Sequence, residues 1–301
     1  MNSGPAQLAA FVRVIDRGGF AAAAEGSGLT ASGLSKAVTR LEDRLGVRLL
    51  QRTTRRLILT PEGETMLARA RDILAAIEAA EAEVTAARGK PRGLVRLNTG
   101  TAYAKHRLAP LLPGLHARYP DITLDLSIAD RRVDVIGEQV DIAIRTGPLG
   151  DSSLVARRIG EATRIIVASP DYLKRMGIPR SQADLGVHTC LTLSGLARLA
   201  DWPLRVDGRV VLHPVKAAIT SDSADLLLDM VLSGLGIARL ASFLMEDALA
   251  DGRLVPVMAD IHVPEVLPVT ALMPPGRQHW PRVRAVLDYL VENASVTRSP
   301  G

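Results

Sequence analysis

Residues 20–63 read FAAAAEGSGLTASGLSKAVTRLEDRLGVRLLQRTTRRLILTPEG. Leu34, Val38, Leu41 and Leu45 recur at i, i+4, i+7 and i+11, the apolar stripe of a helix that ends at Gly46. Thr30 stands where its hydroxyl accepts a backbone N–H of that helix, and Gly28 supplies the turn before it. A shorter helix through FAAAAEGS precedes the turn. At about 100° per residue the face opposite the stripe carries Ser32, Lys36, Thr39 and Asp43, with Ser35 and Arg40 on its flanks. Short hydroxyls beside cations suit base edges and phosphates. Beyond Gly46, Leu49 and Leu50 lead into a basic turn from which Leu57, Ile58 and Leu59 return, a hairpin that offers Arg55 or Arg56 to a minor groove. Upstream, Leu8, Phe11, Val12 and Ile15 share one face of a further short helix, ended by Gly18 and Gly19.

The chain of 301 residues carries a net charge of +5, and the excess is local. From Lys36 to Thr60 seven basic residues stand against two acidic ones, Glu42 and Asp43, so that window alone matches the surplus of the whole chain. Counterion release from a phosphate backbone calls for a dense local surplus of this sign; charge by itself equally fits a solvated basic face. Three helices, a glycine turn and a basic hairpin favour the first reading.

A Ser-Lys pair at 35–36, the run A-x-x-x-LE-x-x-LG at 37–46 and R-T-T-R-x-x-x-LT-x-x-G at 52–63 resemble the winged helix-turn-helix of LysR-type transcriptional regulators. The resemblance makes Ser32, Ser35, Lys36 and Thr39 groove contacts, Arg52 a phosphate contact, and Arg55 and Arg56 the wing. Thr30, Arg40 and Thr53 complete the candidate DNA-binding set. The sequence departs from the family pattern at Gly19, where a Ser or Thr cap is usual, at Ser27, where a core Leu is usual, and at Gly33 in the recognition helix.

After Thr60 and Pro61, a cap and first-turn proline, no Gly or Pro follows Gly63 until Gly89. Met66, Ala70, Ile73, Ile77, Ala80 and Val84 alternate by four and three, the spacing of a helix that pairs with another helix. Packing within one subunit is the competing reading; the resemblance implies paired linker helices in a dimer. RGKPRG, residues 88–93, reads as a hinge.

LVRLNTG at 94–100 opens a strand–loop–helix unit, and ITLDLSI, DIAIR and RIIVA read as further strands with helices between, so a mostly parallel α/β sheet is expected. Ligands of such sheets sit beyond the C-terminal strand ends. Here these are Thr99 to Thr101, Ala129 and Asp130, Arg145 and Thr146, and Ser169. DSSLVARR, residues 151–158, resembles a large LysR subgroup, and the resemblance covers residues 7–292. It implies a fold class of α/β with an all-α-rich N-terminal winged helix-turn-helix and a C-terminal two-lobed α/β domain resembling type II periplasmic binding proteins. The expected domains are a winged helix-turn-helix at 1–61, a linker helix at 62–87, the hinge, and an effector-binding domain at 94–301. Its lobe I takes about 94–163 and 267–292 and its lobe II about 164–266. Thr99, Gly100 and Thr101 at a helix N-terminus would face Ser221 and Asp222 across a cleft that holds a small organic effector. Backbone N–H groups there favour an anion. Arg145 either adds a cation or makes a structural ion pair, and Asp222 disfavours a bare carboxylate.

Other classes are less well served. G-x-S-x-G is absent, and GLGIAR at 234–239 lacks the third glycine of a dinucleotide loop and more simply ends a helix. The six His residues are scattered without metal-ligand spacing, and His106 and His116 read as surface or core-edge. One cysteine, Cys190, excludes an internal disulfide and fits a reducing compartment. Neither a signal peptide nor a membrane span is expected, and a solute-binding protein would have no use for residues 1–87. The expectation is a cytoplasmic, non-enzymatic regulator without cofactor or metal. Its partners would be promoter DNA, a small effector of anionic character, a second copy in a dimer or tetramer, and RNA polymerase.

Overall fold

The computed structural model describes residues 4–25, 28–52, 57–85, 90–130, 135, 140–150, 152–194 and 199–294. The chain divides into two compact units, Met1–Lys90 with His279–Pro281, and Pro91–Gln278 with Arg282–Gly301.

Unit 1 holds α1 (Gly4–Asp16), α2 (Phe20–Ala24), α3 (Ala31–Leu45), β1 (Leu50–Arg52), β2 (Leu57–Leu59) and α4 (Pro61–Thr85). Leu8 and Phe11 of α1 meet Val38 and Leu41 of α3, Leu49 and Leu50 of the hairpin, and Leu67 and Ala70 of α4. Ala10, Val14, Ala23, Leu34 and Ala37 form a second cluster. Each fully buried Leu, Val or Phe side chain here stabilises by about 1.5–3 kcal/mol. Leu45, expected on the core stripe, is 38 % exposed. It occupies the last helical position, beside the left-handed cap at Gly46, and Ala37 is buried in the core instead. Gly19 begins α2 with no side-chain cap. Ser27 lies outside the described residues, as do the hinge positions 88 and 89.

The stripe along α4 is divided. Its first turns belong to the unit's own core through Leu67 and Ala70, with Met66 and Leu74 packed against it, while Ile73 is 45 % exposed. Intrachain packing therefore holds the start of the helix. The apolar surface around Ile73 is left outward.

Unit 2 is built on β3 (Gly93–Thr99), a helix over 101–118 (α5), β4 (Ile122–Ile128), β5 (Ile142–Thr146), β6 (Val155–Ala168), α6 (Pro170–Met176), β7 (Cys190–Leu193), β8 (Asp201–Val206), β9 (Arg209–Pro214), β10 (Ala217–Ser221), α7 (Ala224–Leu232), β11 (Ile237–Ala241), α8 (Glu246–Ala250), β12 (Val255–Pro256) and β13 (Glu265–Met273). α9 (Pro281–Ala294) closes the described chain. Nine strands form one sheet in the order β10-β7-β11-β6-β13-β5-β3-β4, with β12 on β6. The sheet is mixed rather than mostly parallel. β3 runs parallel to β4 and β5, and β7 to β10 and β11, but β13 is antiparallel to β5 and β6, and β6 to β11. The reason is the chain path: β6 carries it from the first half of the sheet to the second and β13 brings it back, so the two crossing strands run in opposite senses. β6 gains β11 as a neighbour from Arg164 onward, and β13 gains β5 from Val269 onward. RIIVA was legible as a strand, but it is only the end of this 14-residue one.

At the crossing, Glu265 accepts hydrogen bonds from Arg164 (2.9 Å) and Arg239 (2.8 Å), and Arg239 Nε donates to His262 Nε2 (3.1 Å). Burial, with the Arg239 charge beside it, pushes His262 down to about 4 from its usual 6.5. A group depressed in this way stays neutral in the fold while the unfolded chain takes up a proton. Unit 2 is therefore expected to lose up to about 3 kcal/mol as pH falls from about 6.5 to about 4. Urea melts of wild type and His262→Gln across that range check it. Parallel pH curves for the two would refute it.

β8 and β9 form a separate hairpin that the sequence reading missed. Asp207 (φ 49°) and Gly208 (φ 77°) turn it, and an Asp-Gly pair between apolar runs is the signal that marks such a turn.

Candidate functional site

The polar face of α3 rests on three fixed points. Thr30 Oγ1 accepts Gly33 N at 3.1 Å, so its hydroxyl serves as the helix cap, and it lies 3.3 Å from Ser32 Oγ. Glu42, counted in the sequence as one of two acids in a basic window, is 3 % exposed. Its Oε1 accepts the backbone N–H groups of Leu49 (2.8 Å) and Leu50 (3.1 Å), and Oε2 accepts Arg48 Nη1 (3.1 Å). α3 is thereby tied to the start of the hairpin, and Glu42 presents no charge to a phosphate. Thr60 then closes the hairpin: its hydroxyl donates to Arg48 O (2.7 Å) and accepts Gly63 N (2.9 Å), and its own N–H donates to Leu49 O (3.0 Å).

On this frame Ser32, Lys36 and Arg40 are exposed one turn apart, and Ser35 and Thr39 lie half-buried beside them. Arg52 ends β1. Thr53, Arg55 and Arg56 lie outside the described residues, as does the side chain of Arg52.

In unit 2 the candidate effector residues fall at strand ends. Thr99 is fully buried. Thr101 N donates to Asp130 Oδ1 at 2.8 Å, so the N-terminus of α5, expected to attract an anion, already has a carboxylate of the chain's own on it. A Cβ at Gly100 would stand 2.8 Å from that oxygen. Ala129 contributes its backbone, donating N–H to Thr99 O at 3.0 Å. Arg145 Nη2 donates to Asn98 Oδ1 (2.6 Å), and Asn98 Nδ2 to Ser127 O (3.0 Å), a chain of bonds across β5, β3 and β4. Thr146 is exposed at the end of β5. Ser169 is buried and caps α6 through Tyr172 N (3.3 Å). Ser221 Oγ accepts Ser223 N (3.0 Å), and exposed Asp222 leads into α7.

The first turn of α5 packs against α7 and the turn Ser242–Leu244. Sequence reasoning missed what holds this junction. Between Ala104 and Leu108 the helix widens into a π turn. Lys105 Nζ and His106 Nε2 both reach Asp225 Oδ1, at 3.0 and 2.9 Å, and Arg107 pairs with Glu246. Successive residues of a regular helix point about 100° apart, so π widening is a physical route to three neighbours engaging one partner surface. Burial works to raise the Asp225 carboxyl, but the hydrogen bonds from His106 and Lys105 outweigh it and hold the group below the usual carboxylate range.

Among the described residues no group of three or more His, Cys, Asp or Glu side chains is placed to hold a metal ion, and no helix is long and apolar enough to cross a membrane. Cys190 is fully buried, and burial pushes its thiol up to about 11.

Residues 5–64 match the family described as bacterial regulatory helix-turn-helix protein, lysR family, and residues 88–295 match the LysR substrate binding domain. The chain is 37 % identical over 292 residues to the HTH-type transcriptional regulator CrgA of Neisseria meningitidis serogroup C, covering 97 % of each chain. The solved structure of CrgA from Neisseria meningitidis superposes with a TM-score of 0.64 at 36 % identity, over 97 % of this chain and 98 % of that one. The full-length Vibrio cholerae virulence activator AphB superposes with a TM-score of 0.59 at 27 % identity, over 95 % and 98 %.

Proposed function

Because the chain belongs to the LysR family of bacterial transcriptional regulators, a DNA-binding family and not an enzyme family, we propose a specific division of labour for its parts. α3 reads the major groove through Ser32, Ser35, Lys36, Thr39 and Arg40. Arg52 holds a phosphate, Thr30 and Thr53 complete the DNA-contacting set, and Arg55 or Arg56, in the wing, enters the minor groove. The observation that carries this reading is the exposed row Ser32, Lys36 and Arg40, set on a helix whose other face buries Leu34, Ala37, Val38 and Leu41. Residues 62–87 pair two copies, setting two reading helices on half-sites one DNA turn or a multiple apart. Residues 94–301 take a small organic effector at the strand ends of two lobes divided near 164 and 266. The assembly, a dimer or a tetramer, works in the cytoplasm and contacts RNA polymerase.

Lys36→Ala tests the core of this reading. It is expected to weaken binding to the upstream intergenic DNA and to lower the slope of log K against log salt by about one. Mobility-shift titrations over a range of salt check it. An unchanged slope removes Lys36 from the interface, and no shift with wild type removes the DNA assignment for that site.

A further inference from the structure

We propose that the effector cleft of this chain takes a small polar molecule presenting hydrogen-bond donors, an amide or an amine, and turns carboxylates away. The proposal rests on the effector-binding reading above and adds the chemistry of the ligand.

The charge at the cleft is carried by acids. Asp130 sits on the one helix N-terminus that an anionic ligand would use, accepting Thr101 N at 2.8 Å. Across the junction, exposed Asp222 and then Asp225 open α7. A carboxylate entering here meets like charges, which disfavour its charged form. The cations nearby are turned to other work: Lys105 and His106 to Asp225, Arg107 to Glu246, Arg145 to Asn98.

Three buried polar atoms on the elements around this junction find no hydrogen-bond partner among the described residues: Thr99 Oγ1 at the end of β3, Tyr103 Oη in the first turn of α5 and Asp225 Oδ2 in the first turn of α7. Thr99 is fully buried, and Tyr103 is 5 % exposed, its ring edge-on to Phe243 with centroids 6.0 Å apart. An unmade hydrogen bond of this kind costs about 1–3 kcal/mol, and buried polar atoms in native folds are nearly always satisfied. Burial pushes the Tyr103 hydroxyl up to about 12, so it remains an O–H donor in need of an acceptor. Asp225 Oδ2 is the reverse, an acceptor in need of a donor. A carbonyl beside an N–H meets both demands at once. A carboxylate offers acceptors alone and leaves Asp225 Oδ2 without a donor.

The full-length chain, titrated by calorimetry and followed by thermal shift, tests the assignment with two matched sets of probes: benzamide, benzylamine and benzoate, and butyramide, butylamine and butyrate. The amide or amine of a set is expected to bind at least tenfold tighter than its carboxylate. Tyr103→Phe is expected to lose at least tenfold in affinity for the amide, whose carbonyl would accept from the hydroxyl, while the unliganded protein melts no lower, since that hydroxyl has no hydrogen-bond partner among the described residues. Asp130→Asn, which still offers Thr101 N an acceptor oxygen, is expected to move the preference toward the carboxylate. A carboxylate that binds tighter than its matched amide and amine overturns the proposal, and so does affinity indifferent to both variants. No binding by any probe, with the DNA mobility shift intact, also overturns the ligand assignment and leaves the regulator reading standing; loss of the wild-type shift strikes that reading instead.

Discussion

Gly63→Ala is expected to unfold the reading head while the effector-binding unit stands. A Cβ at Gly63 would lie 2.0 Å from Leu49 O and 3.0 Å from Leu59 Cδ2. The Leu49 carbonyl cannot retreat, because it accepts Thr60 N at 3.0 Å and so holds the hairpin to the start of α4. Overpacking ordinarily costs about 1–3 kcal/mol, and a clash with a hydrogen-bonded backbone oxygen sits at or above the top of that range. At roughly 4–8 °C per kcal/mol for a domain of this size, the transition of unit 1 falls by more than about 10 °C. Scanning calorimetry and a mobility shift read the two consequences separately: a lowered first transition and lost DNA binding. A variant melting with wild type would show that the helix start has room beside the strand.

The second large effect is at Glu42, and there the side chain chosen decides it. Glu42→Ala leaves the buried N–H groups of Leu49 and Leu50 without an acceptor, a loss of about 1–3 kcal/mol for each. Glu42→Gln keeps an oxygen where Oε1 accepts both N–H groups and turns its amide toward Arg48, whose side chain is 72 % exposed and can move away. That exchange costs about 1 kcal/mol. Denaturant melts of the two variants therefore separate an acceptor role from a charge role. Equal losses would mean the carboxylate charge matters more than the backbone bonds it accepts.

Neither effect was legible in the sequence, and the two share a cause. The stripe Leu34, Val38 and Leu41 announces itself because helical period and burial coincide within one segment, and Thr30 and Thr60 are readable as caps for the same reason. Glu42 and Gly63 act on Leu49 and Leu50 from separate elements, so their meaning exists only once the hairpin is folded back. Leu45 shows the limit of the stripe itself: period says inward, but the helix ends there. In unit 2 the strands ITLDLSI and DIAIR were plain from alternation, whereas a mixed sheet cannot be read from strands whose direction depends on where the chain crosses. The strand-end residues were legible as a group. That Asp130 occupies the place of an anion was not, because it reaches Thr101 from 29 positions away.

α4 has one further consequence. Its 25 residues make a rod of roughly 37 Å at about 1.5 Å per residue, and its first turns are welded to the head by Thr60, Gly63, Leu67 and Ala70. A joint with no play at one end turns the rod into a lever. A tilt of about 5° in the head displaces the far tip by about 3 Å, and a push of that size on the tip tilts the head equally. In the proposed DNA-bound dimer, the angle at which each α3 enters its groove is then set along the whole rod, and sequence changes far from any base contact are expected to retune which spacing of half-sites is bound.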